Sequence, residues 1–172
     1  MKTCIEDSRI VIKIGSNVLT RKDGTLDITR MSALVDQIVT LKKMGLSPIL
    51  VSSGAVAAGK AEIKIRTKMD MVSSRQLFSA IGQVKLINLY YTLFSQHKIY
   101  CGQVLATKED FSTRRHYLNQ RNCMSVMLEN NIIPIENEND TTSVNELMFT
   151  DNDELSGMVA AMMNCKKLII LS

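Results

Sequence analysis

Residues 9–17 read Arg9-Ile10-Val11-Ile12-Lys13-Ile14-Gly15-Ser16-Asn17. The β-branched side chains of Ile10, Val11, Ile12 and Ile14 favour a strand, and Gly15-Ser16-Asn17 ends it. Beyond it, Ile28, Met31, Leu34, Val35, Ile38, Leu41 and Met44 fall on one helical face, with Gly45 placed to stop that helix. Pro48-Ile49-Leu50-Val51 reads as the next strand and is followed at once by Ser52-Ser53-Gly54. Strand, helix and strand in this order imply a right-handed crossover between two parallel strands.

The alternation continues along the chain. A helix is predicted from about Ser73 to Gln96 with an interruption near Gly82, then a strand from Tyr100 to Ala106 and a helix from Arg114 to Asn130. Ile132-Ile133-Pro134-Ile135 reads as a fourth strand, Asp151 to Cys165 as a helix, and Lys167 to Leu171 as a closing strand. The repetition predicts an α/β fold, a three-layer αβα sandwich with a mainly parallel sheet. Ligands in such sheets bind beyond the carboxyl ends of the strands, which here carry Gly15-Ser16-Asn17, Ser52-Ser53-Gly54 and the segment from Glu136 to Asp140. The polar stretch from Ala61 to Val72 lacks periodicity and reads as a mobile connection.

The chain has 172 residues, 45% hydrophobic and 22% charged, enough for one domain with a real core. No apolar run approaches the roughly 18–20 residues needed to cross a bilayer, and no basic-then-apolar signal segment opens the chain, so neither a spanning nor a secreted protein is expected. Cys4, Cys101, Cys123 and Cys165 form no CxxC pair, and neither His97 nor His116 lies at zinc-ligand spacing from them; no metal site is expected, and a reducing cytoplasmic setting is. The net charge of +4 and the absence of Trp argue against a nucleic-acid partner. Yet Glu136, Glu138, Asp140, Glu146, Asp151, Asp153 and Glu154 fall within one stretch that holds no Lys or Arg. A solvated acidic loop is the plain reading, and the asparagines among them favour a site for an ammonium group or a cation.

Three motifs bear on chemistry. Residues 54–60, Gly54-Ala55-Val56-Ala57-Ala58-Gly59-Lys60, match a phosphate loop, but Ala61 replaces its magnesium-binding hydroxyl and the alanines favour a helix buried on the sheet. Lys13 interrupts an apolar strand just before Gly15, where an ammonium and nearby backbone N–H groups suit an anion; a surface lysine is the bland alternative. Asn137-Glu138-Asn139-Asp140 follows a strand and Asp151-Asn152-Asp153 opens a helix; capping alone would account for the second, but the two together point to a site.

Taken in order, Val11 to Ser16, Val51 to Gly59, Ala80-Ile81-Gly82-Gln83, Ile133-Pro134-Ile135 with Asn137 to Asp140, and Asp151 to Ser156 resemble the amino acid kinase family, and within it the glutamate 5-kinases. The resemblance spans nearly the whole chain and implies transfer of the ATP γ-phosphoryl group to the side-chain carboxylate of L-glutamate, the first step of proline biosynthesis; a catalytically inactive module that binds glutamate or proline is the alternative. It implies that Lys13 neutralises the transferring phosphoryl, assisted by Gly15 and Ser16, with Ser172 also on the nucleotide side. Ser53, Gly54, Ala55 and Asn137 would position glutamate, Asp140 and Asn152 would bind its amino and carboxylate ends, and Asp151 and Asp153 would orient the site and its lysines. Mg2+ would arrive on ATP phosphate oxygens. The resemblance also implies feedback inhibition by proline, felt around Asp110 and the 61–72 connection, and a homo-oligomer.

Glu136, Thr150, Glu154 and Gly157 depart from the residues usual in the family, and the Glu136 charge is expected to alter the glutamate pocket. Residues 8–172 are expected to form the amino-acid-binding portion of the kinase domain. The chain reads as C-terminally truncated: the family continues past Ser172 into a nucleotide-binding half, and many relatives add an RNA-binding-like domain that is not expected here.

Overall fold

The computed structural model describes residues 8–143 and 151–172. Among the described residues five strands and seven helices follow one another: β1 (Arg9–Ile14), α1 (Ser16–Leu19), α2 (Ile28–Lys43), β2 (Ser47–Ser52), α3 (Ala55–Glu62), α4 (Met71–Gln96), β3 (Cys101–Ala106), α5 (Lys108–Ser112), α6 (Arg114–Glu129), β4 (Ile133–Glu138), α7 (Asn152–Met162) and β5 (Lys167–Leu171). The strands form one parallel sheet in the order β3-β4-β2-β1-β5. The predicted α/β sandwich is therefore what the chain builds.

Strand alternation sorts the side chains into two cores. Ile10, Ile12 and Ile14 of β1, Leu50 of β2 and Ile133 and Ile135 of β4 pack with Met31, Val35 and Ile38 of α2 and Leu86, Tyr90 and Phe94 of α4. Val11, Ile49 and Val51 point the other way, onto Met124 and Leu128 of α6 and Leu155, Val159 and Met162 of α7. The predicted α2 stripe is buried at its centre, while Ile28 and Met44 at its ends are exposed. At the sheet edge, β5 leaves Leu168, Ile169 and Ile170 partly exposed.

Two glycines set the spacing of α3 and α4. A Cβ on Gly82 would lie 1.7 Å from the Ala55 carbonyl oxygen and 2.5 Å from the Gly59 nitrogen. A Cβ on Gly59 would lie 1.9 Å from the Phe78 carbonyl oxygen. Those are the i and i+4 partners of one backbone hydrogen bond in each helix, so the two helices meet backbone to backbone. Here is the physical reason that α4 runs unbroken instead of stopping near Gly82: the glycine is needed for the approach of α3.

Other boundaries differ for local reasons. The short helices α1 and α5 are too brief to show a periodic signal. Strand β4 continues through Glu136, Asn137 and Glu138, which the sequence reading placed beyond it, because all three are buried in the sheet. Between α3 and α4, residues 63–70 run without regular structure and are mostly exposed. Among the described cysteines, Cys101 and Cys165 are half-buried and free, and burial pushes both thiols up to about 11. Cys4, Glu146 and Thr150 lie outside the described residues.

Candidate active site

The carboxyl ends of β1, β2 and β4 meet the starts of α3 and α7 around a cavity of about 450 Å³, within the range of small-molecule sites. Ser16, Ser53, Gly54, Ala55, Asn137, Asp140, Asp151 and Asn152 all line it. Residues far apart in sequence, singled out as candidates, are thus brought together.

The turn between β2 and α3 forms one wall. Ser53 donates its N–H to the Ile14 carbonyl at 2.9 Å, which ties β2 to β1. Gly54 then adopts φ +99°, a left-handed conformation that a side chain would strain, and opens α3 without a side-chain cap. The first N–H groups of α3, at Ala55 and Val56, have no partner within the helix and mark the dipole's positive end. The phosphate-loop match is consequently a helix: Gly59 lies in the middle of α3, packed on α4.

Asn152 binds the walls to one another. Its Nδ2 donates to Ser53 Oγ at 2.7 Å and lies 3.1 Å from both the Ser52 carbonyl and Asn137 Oδ1. Asn137 in turn donates to Gln83 Oε1 of α4 at 2.8 Å. The amide nitrogen of Asn152 is thereby committed to the protein, leaving its carbonyl oxygen as the group that can face a ligand. Asp151 accepts from the N–H groups of Asp153 and Glu154, so the capping role weighed for it is real even though it also lines the cavity.

Lys13 is buried and pairs with Asp153 at 2.5 Å. Both lie toward the α7 side of the sheet, whereas Asn137 faces α4. Lys13 Nζ stands 3.5 Å from where a Gly15 Cβ would be, and Ser172 Cα stands 3.3 Å from the same point. Glycine at 15 therefore lets the end of β5 and the Lys13 ammonium crowd against the β1–α1 turn. The Gly15 N–H is already donated to the Leu171 carbonyl at 2.7 Å, so it does not serve as an anion donor as expected. That leaves Lys13 and Ser16 as the polar groups of this turn.

Sequence reasoning passed over Arg75 and named Glu138 and Lys60 only within motifs, without a role of their own; all three line the cavity. Arg75 Nε meets Asp140 Oδ1 at 2.5 Å and its Nη2 meets Glu138 Oε2 at 2.7 Å, while Ser79 donates to Asp140 Oδ2 at 3.0 Å. A readable signal existed. Arg75, Ser79 and Gln83 recur at i, i+4 and i+8 of α4, a polar stripe facing the acidic cluster.

The expectation that Glu136 alters this pocket is not met. Strand alternation turns it to the opposite face, where the Gln120 side chain of α6 donates to it. Burial, with Asp110 nearby, raises its carboxyl well above the ordinary range. Glu138 and Asp140 are buried as well, so this part of the acidic stretch is not a solvated loop. Among the described residues no group of His, Cys, Asp and Glu could hold a metal ion, and no helix is long and apolar enough to cross a membrane.

The chain is an α/β domain whose parallel sheet carries a polar, charge-mixed cavity at its carboxyl ends, and residues 8–172 match the amino acid kinase family, to which the chain belongs. It is 69% identical over 167 residues to the glutamate 5-kinase of Bacteroides thetaiotaomicron, covering 97% of this chain and 46% of that protein. It is 47% identical to the glutamate 5-kinase of Chlorobaculum tepidum, covering 95% of this chain and 45% of that protein. The chain thus spans about half the length of these curated relatives. The solved UMP kinase of Bacillus anthracis superposes with a TM-score of 0.63 at 15% identity, over 96% of this chain and 64% of that one; it attests the shared fold.

Proposed function

We propose that the protein carrying this chain phosphorylates the side-chain carboxylate of L-glutamate with ATP, giving L-glutamyl 5-phosphate, in the cytoplasm and at the start of proline biosynthesis. The observation that carries the reading is the single cavity joining Ser53-Gly54-Ala55 to Asn137, Asp140 and Asn152, with the Lys13–Asp153 pair beside it. The N–H groups at the start of α3 suit a carboxylate, and the buried Asp140 and Glu138 suit an ammonium. A dicarboxylic amino acid satisfies both.

Phosphoryl transfer asks the protein for alignment and charge placement, without a covalent intermediate on the enzyme. In this reading Ser53, Gly54 and Ala55 hold the reacting carboxylate, while Asn137 and Asn152 keep that turn fixed against β4 and α4. Lys13, oriented by Asp153, faces the negative charge that develops as the phosphoryl moves, and Ser16 and Ser172 border that position. Mg2+, carried on the phosphates of ATP, would supply further charge neutralisation there. Proline, a smaller amino acid, would compete for the same ammonium and carboxylate positions, and assembly into a homo-oligomer is part of the same proposal.

The test is ATP-dependent acyl phosphate formation, trapped with hydroxylamine as a hydroxamate, by the protein that carries this chain. L-Glutamate is expected to give product; no product with L-glutamate, or equal product from amino acids lacking a side-chain carboxylate, would overturn the reading.

A further inference from the structure

The Arg75 guanidinium sits between two buried carboxylates, Glu138 at 2.7 Å and Asp140 at 2.5 Å, at the rim of the cavity. We propose that Arg75 is the specificity-determining residue that reads the α-carboxylate of the substrate, while Glu138 and Asp140 take its α-ammonium. The assignment rests on the reading of the cavity as a site for L-glutamate.

An α-amino acid carries its ammonium and its carboxylate on the same carbon, so whatever holds the one lies against the other. Glu138 and Asp140 together offer an ammonium two negative charges, and an α-carboxylate placed beside them unaided would be repelled. A cation touching both acids removes that repulsion, and among the described residues Arg75 touches both. Its planar fork of five N–H donors can keep hold of Asp140 while meeting a second carboxylate, which a lysine ammonium does less well. The other cation lining the cavity, Lys60, lies in the last turn of α3 with its ammonium 5.9 Å from the Phe78 ring centre. It pairs with neither acid among the bonds described.

The position of Arg75 is set rather than incidental. Its helix is pressed on α3 through Gly59 and Gly82, and α3 begins at the opposite wall of the same cavity. Asp140 is braced from the same helix by Ser79, one turn beyond Arg75. The cavity thus presents two separated positive features, the α3 N-terminus and Arg75, with the acids beside the second. Two carboxylates and one ammonium complete that pattern, and L-glutamate carries them.

Calorimetric titration of the chain with L-glutamate and with 4-aminobutanoate, which is glutamate without its α-carboxylate, tests the assignment. The unsubstituted chain is expected to prefer L-glutamate. In Arg75→Gln the affinity for L-glutamate falls at least tenfold, while 4-aminobutanoate binds as well as before or better, because the acids are no longer neutralised. That retained binding also shows a folded pocket. Lys60→Gln leaves the preference in place. Equal losses for both ligands in Arg75→Gln, or a preference abolished by Lys60→Gln instead, overturn the role of Arg75. No binding of L-glutamate by the unsubstituted chain overturns the reading of the cavity itself, and this assignment with it.

Discussion

Replacing Gly82 by alanine puts one methyl group where α3 and α4 touch. Its Cβ would lie 1.7 Å from the Ala55 carbonyl oxygen, 2.5 Å from the Gly59 nitrogen and 2.7 Å from the Ala55 carbonyl carbon. All three are backbone, so no side chain can swing aside; the helices must part by well over an ångström to reach ordinary contact. Overpacking of well-fitted interiors costs about 1–3 kcal/mol, and a collision with backbone on this scale belongs at or above the top of that range. The displacement also reaches the cavity, since α3 starts at Gly54-Ala55 and α4 carries Arg75, Ser79 and Gln83. Gly157 is the internal control: it lies within helix α7 with nothing inside 4 Å of its added Cβ, so Gly157→Ala should stabilise by about 0.5–1 kcal/mol through helix propensity. Urea unfolding of the three proteins measures both effects as shifts of the midpoint. Gly82→Ala should unfold earlier by about 3 kcal/mol and bind L-glutamate more weakly. A Gly82→Ala protein as stable as Gly157→Ala would refute the reasoning.

Two further predictions concern the lysine and the buried acid. In the protein that carries this chain, Lys13→Ala should lower the phosphorylation rate at least a hundredfold while leaving glutamate binding largely intact; an unchanged rate removes Lys13 from the mechanism. Glu136 is buried with its carboxyl raised above the ordinary value of 4.5, so its contribution is most favourable below that pH and is lost as pH rises toward its folded value. Glu136→Gln should accordingly gain stability over the unsubstituted chain as pH rises from 4.5, by at most about 1.4 kcal/mol per pH unit, read from urea unfolding at a series of pH values. Parallel stability profiles for the two would contradict a neutral Glu136.

Much of this was legible in the residues because strand and helix have distinct periods. The β-branched run of β1 and the closing run from Lys167 to Leu171 gave strands at the right residues, and strand–helix alternation led to a parallel sheet. The cavity was legible as clusters at strand ends, since the topology of such sheets gathers those ends together. What stayed hidden depends on tertiary neighbours. Nothing local distinguishes a glycine that breaks a helix from Gly82, which admits another helix, or the pocket acid Glu138, met by Arg75 of α4, from Glu136, met by Gln120 of α6. Arg75 was overlooked because its partners, Glu138 and Asp140, lie more than sixty residues away in sequence.

The central claim is that the cavity at the ends of β1, β2 and β4 is an amino-dicarboxylate site, and the most direct measurement is titration of this chain with L-glutamate and, separately, with ATP. The account predicts saturable binding of L-glutamate, weakened by Asp140→Asn, and no tight binding of ATP. Tight ATP binding that is lost in Lys60→Ala but kept in Lys13→Ala, with no binding of L-glutamate, would contradict it.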